Sequence, residues 1–128
     1  MEFLKTYGIA FLIFFVIDLI WLTLISRKIY SQYLGSFMGD VKWVPAIIFY
    51  LLFVVGLVFF VINPALAKES FLTAMFTGMF FGLITYATYD LTNLATLKDW
   101  PVVITVIDLA WGTVLGGLVS SLTYLILK

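Results

Sequence analysis

Residues 71–127 read FLTAMFTGMFFGLITYATYDLTNLATLKDWPVVITVIDLAWGTVLGGLVSSLTYLIL. Two long apolar runs flank the short polar turn Lys98-Asp99-Trp100-Pro101, and each run holds one charge, Asp90 in the first and Asp108 in the second. A membrane-spanning helix needs about 20 mostly apolar residues. Both runs meet that length. Unsatisfied backbone groups are costly in lipid, so each run is expected to close its own hydrogen bonds as a helix. Proline is tolerated in the first turn of a helix, so Pro101 marks where the second run starts afresh.

The pattern repeats upstream. Phe3 to Ile25 is broken only by Lys5 and Asp18, and Val44 to Ile62 carries no charge. Asn63-Pro64 is expected to end that second span, and Lys68-Glu69-Ser70 to turn the chain into the third. The reading is all-α: one four-helix transmembrane domain over residues 1–128, a polytopic bundle with spans at about 3–25, 44–62, 71–97 and 101–127. The connection from Arg27 to Trp43, with Tyr30, Tyr33, Phe37 and Met38, reads as an interfacial segment, and Trp43 and Trp100 read as interface anchors.

Composition agrees. Of 128 residues, 64% are hydrophobic and only 14 are charged, seven of each sign. Soluble domains carry about twice that charged fraction. Nucleic-acid binding would need a basic excess, so no nucleic-acid partner is expected. Cysteine and histidine are both absent. Disulfides, thiolate or imidazole metal sites and Ser–His catalysis are therefore excluded. The expected partner is the lipid bilayer.

Side A can be defined as the face with the N-terminus, the Lys68 turn and the C-terminus. It holds Lys5, Lys68 and Lys128, against Arg27, Lys28, Lys42 and Lys98 on side B. That balance leaves orientation open, with the adjacent Arg27-Lys28 favouring side B as cytoplasmic.

Position matters more than net charge. Asp18 lies nine residues before Arg27, Asp90 eight before Lys98, and Asp108 nine after Asp99. At helical rise each sits about 12–14 Å below the side-B boundary. Three spans thus offer a carboxyl at one depth, and no Lys or Arg lies equally deep. Ionisable groups in spans usually face a partner or cavity. Gly78, Gly82, Thr85, Tyr89, Asn93 and Thr96 form one stripe at the 3.6 period, with Tyr86 and Asp90 on its edge; Thr105, Asp108, Gly112, Gly116, Ser120 and Thr123 form another. Small residues four apart let helices approach closely, so Gly78, Gly82, Gly112 and Gly116 are expected at a packing seam.

The hexapeptide Val16-Ile17-Asp18-Leu19-Ile20-Trp21 returns as Val106-Ile107-Asp108-Leu109-Ala110-Trp111 with one change. In each, Asp and Trp share a helix face. The candidate ligand- or proton-binding residues are Asp18, Trp21, Tyr86, Tyr89, Asp90, Asn93, Thr105, Asp108 and Trp111. Thr92 and Thr96 are further oxygen donors. Acids crowded in a low dielectric cannot all ionise, so protons, a cation or hydroxyl donors must compensate them. No cofactor is expected. The all-oxygen set of Asp18, Asp90 and Asp108 would suit a hard cation rather than zinc.

The run Tyr86-Ala87-Thr88-Tyr89-Asp90-Leu91-Thr92-Asn93-Leu94-Ala95-Thr96-Leu97, followed by Trp100-Pro101 and Asp108-Leu109-Ala110-Trp111-Gly112-Thr113, resembles a family of small bacterial membrane proteins, domain-of-unknown-function family 2177. Asp18 with Trp21-Leu22, Tyr30, Leu34-Gly35, Phe49-Tyr50-Leu51, Gly56 and Pro64-Ala65-Leu66 extend the likeness along the chain. The resemblance implies a multi-pass protein of the bacterial inner membrane with four helices. It carries no reaction or substrate.

Three functions compete. The leading one is binding or transport of a proton, cation or small lipophilic substrate at the carboxyls. A homodimer is left open, because four helices enclose little interior. The alternatives are an intramembrane enzyme acting on a lipid or isoprenoid substrate, and a scaffold using its glycine faces. Paired acids would serve the enzyme, but no nucleophile motif or phosphate cradle is present.

Overall fold

A computed structural model describes residues 2–26, Lys28, Gln32 and 43–128. The expected interfacial connection with Tyr30, Tyr33, Phe37 and Met38 lies outside these residues, as does the side chain of Trp43. Among the described residues the architecture is helical, with no strand. The helices are α1 (Glu2–Ile20), α2 (Trp43–Leu57), α3 (Asn63–Lys68), α4 (Phe71–Thr96) and α5 (Val102–Leu127). Among the described residues, three continuous stretches are long and apolar enough to cross a membrane: Val44–Lys68, Phe71–Thr96 and Val102–Leu127. The first helix carries on past Ile20 as a π-helical segment, Trp21–Ser26.

Asn63-Pro64 does not end the second span. The chain widens into a π-helix at Val58–Ile62 and resumes as α3, with Pro64 in its first turn. In a regular helix the proline ring would strike the carbonyl of residue i−4, here Phe60. The wider turn accommodates that conflict, and the Asn63 N–H bonds the Val58 carbonyl five residues back. The real stop is Glu69, in the left-handed conformation at φ 53°. Its N–H and that of Ser70 bond back to the last carbonyls of α3. Ser70 then caps α4 by accepting the Thr73 N–H at 3.1 Å.

The turn from α4 to α5 is equally tight. Asp99 takes φ 64°, and Pro101 stands immediately before α5. Trp100, read as an interface anchor, is buried within the turn, and its indole N–H donates to Thr105 Oγ1 at 3.1 Å.

The closest backbone packing joins α4 to α5, and α1 packs mainly on α5. A Cβ on Gly82 would run into the Gly112 backbone, and one on Gly116 into the Gly78 carbonyl. Only glycine permits that approach. The core proper joins Ala10 and Phe14 of α1, the inward-facing Phe53, Val54, Leu57, Val58, Val61 and Ile62 of the second span, and Leu115 and Val119 of α5. It fills the side-A half of the bundle. Leu12, Leu52, Phe59, Phe60, Phe80 and Val106 are exposed on the outside, the lipid-facing surface that a spanning bundle requires.

Candidate functional site

The side-B half contains a partly open cavity of about 520 Å³. Four helices wall it. α1 supplies Asp18; α2 supplies Pro45, Ala46, Phe49 and Tyr50; α4 supplies Thr85, Tyr86, Tyr89 and Asp90; α5 supplies Asp108. Asp18 is 6% exposed, Asp90 0% and Asp108 7%. The three carboxyls read as sharing one depth therefore line one space. Counting residues from Asp99 also placed Asp90 opposite Asp108, and the two carboxyls do face each other across the α4–α5 seam.

The surroundings of these acids differ. The Tyr50 hydroxyl lies within reach of the Asp18 carboxyl. The Trp111 indole N–H lies within its reach but closes no bond of ordinary geometry. Neither oxygen of Asp90 has such a bond. Tyr86 stands at the centre, within electrostatic range of Asp18, Asp90, Asp108 and Tyr50. Among the described residues, no lysine or arginine lines the cavity. Nor do any three acidic side chains there group closely enough to hold a metal ion.

Other candidates fall elsewhere. Trp21 and Trp111 stack on each other, centroids 4.4 Å apart and planes 8° from parallel. The two Asp-x-x-Trp copies thus meet like to like across antiparallel helices, beside the cavity rather than in its lining. Asn93 lies beside Tyr89, outside the lining. Thr105 is occupied by Trp100. Thr92 and Thr96 donate to carbonyls of their own helix and are exposed. In lipid that is the nearest acceptor a threonine finds.

Five lining residues were not among the candidates: Pro45, Ala46, Phe49 and Tyr50 of α2, and Thr85, which the sequence had placed only on the packing stripe of α4. Tyr50 left one signal, being the only hydroxyl in α2. Phe49 is indistinguishable in sequence from a lipid-facing phenylalanine. In the structure it sets its ring edge-on to Tyr86 at 6.2 Å. The second span carries no charge from Val44 to Ile62, yet its α2 half forms one wall of the cavity.

The family profile described as "Predicted membrane protein (DUF2177)" matches residues 3–125. The chain belongs to that family. Comparisons with curated proteins and with solved structures returned no significant match.

Proposed function

We propose that this member of the family binds a small lipophilic cation in the acid-lined cavity, for transport across the bilayer. The observation that carries the reading is the pairing of three buried carboxyls with aromatic walls and, among the described residues, no basic side chain. Buried acids without basic partners call for positive charge. Faces of Phe49, Tyr50, Tyr86 and Tyr89 suit an organic cation, which aromatic rings attract through their quadrupoles. The volume falls in the range of small-molecule pockets. A bare hard cation fits less well, since the acids do not converge on one point.

The cavity is confined to the side-B half, and Phe14, Phe53 and Leu57 fill the way to side A. Passage therefore requires those side chains to repack, or a second copy to complete the path. Binding is the step to test first. Benzyltrimethylammonium carries a permanent charge and one ring, and its titration into protein in lipid nanodiscs should give saturable heat. Asp18→Asn should weaken binding at least about tenfold, equivalent to about 1.4 kcal/mol. The uncharged analogue neopentylbenzene should bind more weakly than the cation. Equal binding of the two, or an unchanged Asp18→Asn variant, overturns the reading.

A further inference from the structure

The three acids of the cavity are not equivalent. Asp18 has the Tyr50 hydroxyl within reach. Asp90 is fully buried, both its oxygens lack a hydrogen-bond partner, and the polar group facing it is the carboxyl of Asp108. Among the described residues, the titratable groups around this pair are Tyr86 and Tyr89 from α4, with Asp18 from α1 and Tyr50 from α2 lining the same cavity. None of them is a base. Two ionised carboxylates facing each other in a low dielectric repel strongly, and one proton between them converts the repulsion into a hydrogen bond. That proton also supplies the donor that Asp90 lacks.

A cation entering the cavity would then add a positive charge where a proton already sits. Net charge within a membrane span is expensive, so the arrangement that keeps the charge constant is favoured. We infer that the cavity is an exchange site: a monovalent cation bound beside Asp90 and Asp108 displaces the single proton the pair shares. One positive charge enters and one leaves, and the proton passes to water at the cavity mouth. The inference rests on the cation reading above and assigns the roles within it. Asp18 with Tyr50 faces the ligand throughout, while the Asp90–Asp108 pair alternates between proton and cation.

The exchange is read from the unmodified protein in nanodiscs, titrated with benzyltrimethylammonium in two buffers of different ionisation enthalpy. The probe cannot titrate, so a released proton comes from the protein. About one proton should leave per cation bound, and the Kd should rise about tenfold for each pH unit of acidification across the exchange range. Asp90→Asn and Asp108→Asn each remove one member of the pair. Either variant that retains its helical signal and single gel-filtration peak should still bind the probe, with no proton release and a pH-independent Kd. Binding by the unmodified protein without proton release overturns the exchange and leaves the cation site standing. Release of a full proton by a folded variant overturns the assignment to this pair. A folded protein that binds no cation removes the earlier reading, and the exchange with it.

Discussion

Tyr50 shows how much one hydroxyl carries in a lipid-facing bundle. It is the only side chain of α2 with a hydrogen-bonding group beyond the indole of Trp43, and its hydroxyl lies within reach of Asp18. Removing it leaves a buried carboxyl short of a donor. Tyr50→Phe should therefore lower stability by about 1–3 kcal/mol, measured by denaturant titration in mixed micelles. The Trp100 indole makes a neutral bond to Thr105 at 3.1 Å. Trp100→Phe should cost less, about 1 kcal/mol in the same assay. Sequence reading found Asp18, Asp90 and Asp108 because charge deep in a span is rare. It could not find Phe49 or Tyr50 as wall residues, because an aromatic in a span reads alike whether it faces lipid or a cavity.

Helix pairing is decided by small residues where two backbones nearly touch. At Gly82 an added Cβ would meet the Gly112 carbonyl, and backbone cannot step aside as a flexible side chain can. At Gly8 there is nothing within 4 Å. Gly82→Ala should destabilise the protein by about 2–3 kcal/mol by prising α4 from α5, whereas Gly8→Ala should be neutral or slightly stabilising. Thermal unfolding of both variants in the same detergent checks the contrast. The glycine stripes were legible because the spacing of four residues implies one helix face. The course of the second span was not: Pro64 looked like a terminator, yet the π-helical turn at Val58–Ile62 lets the helix pass through it. Whether a proline stops or bends a helix depends on what the preceding turn can relax into.

Across the whole molecule, the division into a cavity half and a packed half has a direct test. The chain holds no cysteine, so single-cysteine variants carry an unambiguous label site. Ala46 lines the cavity, whereas Ser120 is fully buried against Gly78 at the helix seam. Ala46→Cys should react with a water-soluble maleimide and be protected by benzyltrimethylammonium; Ser120→Cys should stay unmodified until the protein is denatured. Labelling at both sites would show that the side-A half is open as well. By itself, the amino-acid sequence determined the membrane environment, the helical class and the depth of the three acids. Those follow from hydropathy and from the fixed rise of a helix, which act along the chain. Only the tertiary structure decided that the acids line one cavity, that Asp90 meets Asp108 while Asp18 meets Tyr50, and that the Trp21 and Trp111 copies stack on each other. Those pairings depend on how each helix is rotated and tilted against its neighbours, which close glycine contacts and aromatic packing set in three dimensions.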